Sequence, residues 1–210
     1  MIRILIVDDH AILRAGLKEI LSQMPDPVVA DEAGNDQEAM EKIHQHEYDL
    51  VLLDIALPGR SGIEVLKDLK SERPALPVLI LSMYPEEQYA MRALTGGASG
   101  YLTKQSAPDE LITAIRKVLR GAKYVSASMA ESLVSYLDVS AEKIPHQALS
   151  DREYQVMCMI ASGKTVKQIA DELCLSVKTI STHRERILRK MKLKNNAEIT
   201  RYAIKHGLVE

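Results

Sequence analysis

The chain has 210 residues, 46% of them apolar and 27% charged, with a formal net charge of −2; that excludes a disordered, collagen-like or low-complexity protein. At about 100–200 residues per domain it forms one large domain or two small ones. No apolar run approaches the ~18 residues of a membrane span, and 2 cysteines build no disulfide framework, so a cytoplasmic protein with reduced thiols is expected.

The N-terminal run Ile2–Val7 predicts a first strand. It ends in Asp8 and Asp9, where a signal peptide would need small residues. Further short apolar runs follow at Val28–Ala30, Leu50–Leu53, Val78–Leu81 and Gly100–Leu102, spaced as strand–helix repeats require. Between them Ile12, Leu13, Leu17, Ile20 and Leu21 share one helical face. Ala39, Met40 and Ile43 share a second, and Ile63, Leu66 and Leu69 a third. Gly96-Gly97 ends a fourth helix. Leu111, Ile112, Ile115, Val118 and Leu119 form the last, which Gly121 stops. Continuous apolar strands alternating with amphipathic helices predict a parallel sheet covered on both faces. Residues 1–120 therefore read as a doubly wound (βα)5 domain of the α/β class.

Residues 121–148 change character. Tyr124–Leu137 predicts a short helix, and the polar stretch that follows, broken by Pro145, predicts a linker. Residues 149–210 are patterned as helices throughout. Ser150-Asp-Arg-Glu153 and Thr165-Val-Lys-Gln168 are capping boxes. Gly163 ends the first helix, Ser176 caps a long basic one, and Asn195 or Asn196 caps a last helix ending near Gly207. Two helices joined across Leu173-Cys174-Leu175 have helix-turn-helix spacing, which points to double-stranded DNA.

The small net charge hides an asymmetry. Residues 1–120 carry 13 basic and 19 acidic side chains, whereas residues 147–210 carry 12 and 7. A basic end on an acidic body suits an anionic partner. Phe and Trp are absent, which argues against single-strand binding by aromatic stacking. With Val177, Ile180, Ile187, Leu188 and Met191 turned inward, the long helix presents Lys178, Ser181, Thr182, Glu185, Arg186 and Arg189. Lys178, Thr179, His183, Arg184 and Arg189 suit phosphate, which positions a helix. Ser181, Thr182 and Glu185 suit base edges, Glu185 as an acceptor from a cytosine amino group. The alternatives are ordinary helix surface for Thr179 and Ser181, and an i,i+4 pair with Arg189 for Glu185.

In an open α/β sheet, ligands bind beyond the carboxyl ends of the strands. Asp8 and Asp9 stand after the first apolar run, Asp54 after the third, Ser82 after the fourth, and Thr103 and Lys104 after the fifth. Clustered carboxylates repel one another unless a cation joins them, and an oxygen donor set suits Mg²⁺. A carboxylate beside Mg²⁺ and a lysine is a nucleophile toward a phosphoryl group. Taken singly, each residue is a turn former, a helix cap or a surface lysine; the argument rests on their convergence.

Those residues carry a resemblance. Residues 1–120 resemble the receiver domain of bacterial two-component response regulators, through Val7-Asp8-Asp9-His10, Asp54-Ile-Ala-Leu-Pro58-Gly59 with Gly62, Leu81-Ser82 and Gly100-Tyr101-Leu102-Thr103-Lys104. Residues 149–209 resemble the LuxR-type helix-turn-helix, through Leu149-Ser-Asp-Arg-Glu153, Gly163-Lys-Thr-Val-Lys-Gln-Ile169-Ala170 and Leu175-Ser-Val-Lys-Thr-Ile180-Ser-Thr-His183. In that order they are similar to the NarL/FixJ family over nearly the whole chain, with a C-terminal tail like the GacA/UvrY branch. The implied division is a receiver over 1–120, a linker with a short helix over 121–148, and a DNA-binding domain over 149–210.

The resemblance implies that Asp54 accepts phosphate from a sensor histidine kinase and that Lys104 pairs with it. Asp8, Asp9, Asp54 and the Ala56 carbonyl would hold Mg²⁺, and Ser82 and Tyr101 would form the switch. Phosphorylation would release the basic domain to form a homodimer on DNA, with RNA polymerase as a further partner. No enzymatic turnover is implied beyond slow self-dephosphorylation. Ala56 and Tyr84 flank the path of a hydrolytic water, the first without a side chain to orient it and the second bulky enough to obstruct it, so a long-lived phosphoaspartate is expected. Three positions depart from the family pattern: Leu57 replaces a frequent Met, Ser181 a frequent Lys, and Gln105 a frequent Pro, which leaves the isomer of the Lys104–Gln105 bond open. The competing readings are a constitutive DNA binder with a vestigial receiver and an aspartyl-phosphate phosphatase; the latter lacks its second acid at Ala56. A flavin carrier would need a Gly-rich loop where Asp8 and Asp9 stand. His44 and His46 share no helical face for a metal, and both cysteines are expected to be buried.

Overall fold

In a computed structural model, which describes residues 1–106, 108–126, 129–130 and 145–209, every apolar run is a strand. The strands are β1 (Ile2–Val7), β2 (Val28–Ala33), β3 (Leu50–Asp54), β4 (Val78–Ser82) and β5 (Gly100–Thr103). They alternate with α1 (Ala11–Ser22), α2 (Asp36–Gln45), α3 (Gly62–Glu72), α4 (Glu86–Thr95) and α5 (Pro108–Leu119). The sheet is wholly parallel in the order β2-β1-β3-β4-β5. The ladder runs one residue past three of the apolar runs, so Asp54, Ser82 and Thr103 are the last residues of their strands. β3 and β4 are buried at every position, as expected of strands covered on both faces.

Ile4, Ile6, Leu50, Leu52, Leu79, Leu81 and Leu102 pack with Leu17, Leu21, Leu111, Ile115 and Val118 of α1 and α5. Each such side chain contributes about 1.5–3 kcal/mol of burial. One member of the expected α1 face does not belong: Ile12 is 90% exposed. It lies in the first turn of α1, on the side away from Leu17 and Leu21. Gly121 closes α5 with a φ of +82°, where a side chain would be strained. The expected helix from Tyr124 is corrected at its start. Tyr124 is extended, its N–H donating to the Ser99 carbonyl at 2.8 Å and its residue bridging Gly100. Met129 and Ala130 are helical, and the rest of the expected helix and linker lies outside the described residues.

The chain divides into two units, Met1–Met129 and Ala130–Glu210. In the second, a 3-10 turn over Pro145–Ala148 precedes α6 (Asp151–Ala161), α7 (Val166–Glu172), α8 (Val177–Met191) and α9 (Asn196–Lys205). Ser150 and Thr165 head complete capping boxes with Glu153 and Gln168, Ser176 caps α8, and Asn195 rather than Asn196 caps α9. A left-handed Cys174 makes the turn between α7 and α8. That position leaves Cys174 exposed, contrary to expectation, while Cys158 is buried. Ile180, Ile187 and Met191 of α8 point inward. Val177 does not; it is 51% exposed because the first helical turn projects beyond the core. Among the described residues, no helix is long and apolar enough to cross a membrane.

Candidate functional site

The strand order reverses between β1 and β3, and there the acids meet. Val7 pairs with Leu53, so the residues that follow them, Asp8 and Asp54, are neighbours. Asp54 pairs in turn with Leu81, and Ser82 with Thr103. Four strand ends therefore supply one edge. Lys104 reaches back over it: its Nζ lies 2.6 Å from Asp8 Oδ2 and 2.7 Å from Asp54 Oδ2. Asp8 and Asp54 are almost fully buried. Burial pushes the Asp54 carboxyl above its ordinary range against the pull of the Lys104 charge, with Asp8 adding to the rise. The Lys104 ammonium is desolvated too, yet the two carboxylates hold its pKa above the usual lysine value.

The second Asp54 oxygen, Oδ1, is buried without a hydrogen-bond partner, an arrangement that is costly unless something else satisfies it. Oxygens of Asp8, Asp9 and Asp54 and a ring nitrogen of His10 lie within 4.8 Å of one another. His10 Nδ1 is 2.8 Å from Asp9 Oδ1, and its backbone N–H donates to Asp8 Oδ1. Three carboxylates and one unsatisfied buried oxygen suit a hard divalent cation. Ala56 is half-buried in the loop after β3. That loop is closed by Gly62, whose N–H donates to the Ile55 carbonyl at 2.8 Å.

Ser82 and Tyr101 are both fully buried. Ser82 Oγ accepts from the Tyr84 N–H at 3.1 Å, and the Tyr101 hydroxyl donates to the Tyr84 carbonyl at 2.8 Å. Burial raises the Tyr101 phenol, and a hydrogen bond with Ser82 draws it partly back. The two expected switch residues are thus joined through one residue, Tyr84, whose ring lies 4.9 Å from that of Tyr89. No peptide bond among the described residues is cis, so the Lys104–Gln105 bond is trans.

On α8, Lys178, Thr182, Glu185 and Arg189 are exposed, and Thr179, Ser181, His183 and Arg184 are half-buried. Three of these have local duties. Thr179 Oγ1 lies 2.8 Å from the capping Ser176 hydroxyl, and the Thr182 hydroxyl donates to the Lys178 carbonyl. Arg184 Nε donates to Asn196 Oδ1 at 2.6 Å. Glu185 forms no ion pair with Arg189 among the described residues. The residues that sequence reasoning missed are those that act through others: His10, Asn196, and the Lys190–Glu153 pair at 2.6 Å that anchors α8 to α6, while Tyr84, expected only to obstruct water, also links the two switch residues. Only His10, adjacent to the acids, had a positional signal.

A parallel sheet with paired acids and a lysine at its switch point, followed by a capped helix-turn-helix, defines a receiver domain joined to a DNA-binding domain. Comparison with known proteins agrees in both parts. Residues 4–116 match the response regulator receiver domain, and residues 147–203 match the bacterial regulatory proteins of the luxR family. The oxygen regulatory protein NreC of Staphylococcus carnosus is 36% identical over 99% of this chain and 99% of its own length. The response regulator GacA of Pseudomonas protegens is 36% identical over 100% of this chain and 99% of its own. A solved complex of the two-component response regulator RcsB with DNA superimposes with a TM-score of 0.59 at 25% identity, covering 97% of this chain and 98% of that one. The chain belongs to the NarL/FixJ family of response regulators, phosphorylation-dependent regulators of transcription. GacA names part of the branch that the C-terminal tail resembles. Proteins of this architecture are typically not enzymes.

Proposed function

We propose that Asp54 is the phosphoacceptor, and that its phosphorylation releases the C-terminal unit, bounded near residue 149, to dimerise on double-stranded DNA. The observation that carries this reading is the bridge of Lys104 between Asp8 and Asp54 beside an unsatisfied Asp54 oxygen. An Asp54 oxygen attacks the phosphorus of a kinase phosphohistidine. The O–P bond forms, the N–P bond breaks, and the imidazole leaves with a proton. Lys104, held charged, pairs with the transferred group; Ser82 donates to one of its oxygens; Tyr101 follows Ser82.

Asp8, Asp9, Asp54 and the Ala56 carbonyl would hold Mg²⁺, which when bound neutralises the phosphoryl oxygens. The chain's own part is to keep the acids together and Lys104 between them. Turnover is not its task, and the phosphoaspartate persists because Tyr84, braced by Tyr89, obstructs water. Loss of that ring in Tyr84→Ala speeds hydrolysis several-fold, measured by decay of the phosphorylated mass.

On α8, Lys178, Thr179, His183, Arg184 and Arg189 contact phosphates, and Ser181, Thr182 and Glu185 face base edges. The partners are a sensor histidine kinase, duplex DNA, a second copy of the chain and RNA polymerase, all in the bacterial cytoplasm. The test is to select duplexes from a random pool with phosphodonor-treated full-length chain. Affinity for the selected duplex is then measured with and without phosphodonor and Mg²⁺. Tight binding only after treatment, lost in Asp54→Asn, is expected. Equal affinity in both states favours a constitutive binder with a vestigial receiver.

A further inference from the structure

Arg14 takes no part in the reading above, yet its guanidinium sits against the backbone of the acidic edge. The side chain is only 16% exposed. Nη1 donates to the Asp8 carbonyl at 2.6 Å, and Nε donates to Glu32 Oε2 at 2.7 Å. Glu32 lies on β2, where the Lys18 ammonium also pairs with its carboxylate and Lys42 Nζ donates to its carbonyl at 2.6 Å. Side-chain hydrogen bonds from Lys18 and Arg14 hold the Glu32 carboxyl below its ordinary range, against the rise from burial. One planar group on α1 therefore braces the end of β1 against β2.

The Asp8 carbonyl belongs to the peptide that joins Asp8 to Asp9. That unit is planar, so a hydrogen bond on its oxygen sets the direction in which the chain leaves toward both acids. The Asp8 side chain then meets Lys104, and the Asp9 side chain meets His10. The other side of the same residue is fixed as well, since the Asp8 N–H donates to the Ala33 carbonyl at 3.1 Å. A bare arginine near three carboxylates would oppose a cation at that edge. Glu32, which it shares with Lys18, offsets part of its charge while leaving the geometry. The two contacts diverge from one rigid fork, which a lysine point charge cannot reproduce.

We infer that Arg14 is a positioning residue for the cation site: it holds the Asp8–Asp9 peptide so that both carboxylates face Asp54, and Glu32 offsets part of its charge there. This rests on the cation site proposed above. Groups that orient metal ligands change metal affinity by about 10–100-fold when removed, and an effect of that order is expected.

The experiment is calorimetric titration of the full chain with Mg²⁺ alone, in parallel with phosphodonor labelling across Mg²⁺ concentrations and a thermal melt of each variant. Arg14→Met weakens Mg²⁺ binding about 10–100-fold, while the labelling rate at saturating Mg²⁺ approaches that of the unaltered chain. Arg14→Lys falls between the two. Arg14→Met combined with Glu32→Gln stays as weak as Arg14→Met. Tighter binding by Arg14→Met overturns the inference, because Arg14 would then act through charge alone. Recovery in the double variant overturns it because an unpartnered Glu32, rather than the lost hydrogen bond to Asp8, would then cause the weakening. Unchanged affinity in Arg14→Met, with binding lost in Asp9→Asn, overturns the inference and leaves the cation site standing. Unchanged affinity in Asp9→Asn removes the site itself. If Arg14→Met does not fold, Arg14→Lys and Glu32→Gln decide the matter, and affinities equal to the unaltered chain in both overturn it.

Discussion

The two units put their working residues in opposite environments. In the receiver, Asp54 is 1% exposed and Tyr101 is fully buried, and Lys104 lies over the acids with little of its side chain in water. On α8 the residues assigned to DNA stand in solvent or half in it, while Ile180 and Ile187 hold the helix from beneath. Buried charges interact strongly and must be paired, so the proposed phosphoryl group at Asp54 would have to be answered by rearrangement of its neighbours. Exposed charges on a rigid helix need no rearrangement; they need only access to a polyanion. A sensor is therefore built from crowded, coupled groups and an effector from independent ones, and perturbations of the two should differ in kind.

The most severe test of that contrast is Gly62→Ala. A Cβ at Gly62 would overlap the Asp54 carbonyl oxygen and lie 2.7 Å from Ile55 Cα. The Asp54–Ile55 backbone it would meet cannot give way cheaply, and a loss of about 3 kcal/mol is expected. Phosphodonor labelling should fall to background, and hydrogen exchange should rise around β3 and α3 but not in α6 to α9. Protection lost equally in both units would show that they do not respond separately.

Next is Lys190→Ala, which strips the ion pair from Glu153. Glu153 is buried, but the Lys190 side chain is 36% exposed, so the cost is about 1–3 kcal/mol, below that of a fully buried pair. Burial raises the Glu153 carboxyl, but Lys190 and the Ser150 backbone outweigh it and leave the pKa below 4.5. A depressed carboxyl stabilises the fold above its unfolded value and loses that contribution as pH falls through the folded one. Urea midpoints should therefore drop below about pH 4.5 in the parent chain. In Lys190→Ala that acid-dependent drop should be smaller; an identical pH profile would mean that the pair carries no such linkage.

Smallest is Arg184→Ala, acting on the exposed side of the comparison. It should weaken binding to all duplex sequences alike and flatten the salt dependence by about one unit of slope. A change confined to particular sequences would reassign Arg184 from phosphate to bases. Its bond to Asn196 leaves the terminal guanidinium nitrogens to make that contact.

The contrast also explains what the sequence made legible. Strands and helices followed from runs of Leu, Ile and Val with the right period, and Asp8, Asp54, Ser82 and Lys104 from standing where those runs stop. Caps at Ser150, Thr165 and Ser176 were readable because a cap is a local pattern of four residues. Burial of Ile12, Val177 and Cys174 was overestimated: a first helical turn or a left-handed turn can carry an apolar side chain away from the core without changing the pattern. Arg14, Asn196 and the Lys190–Glu153 pair had no signal, because each contact follows no local sequence pattern and depends on the finished fold. Gly62 is legible in the sequence as part of a motif, but its close approach to the Asp54 carbonyl is a property of the folded loop alone.

The central claim is that Asp54 is the one phosphoacceptor of this chain. Its most direct test is intact mass after incubation with a small phosphodonor and Mg²⁺. The account predicts one added phosphoryl group in the parent chain and none in Asp54→Asn; equal labelling of the Asn variant would contradict it.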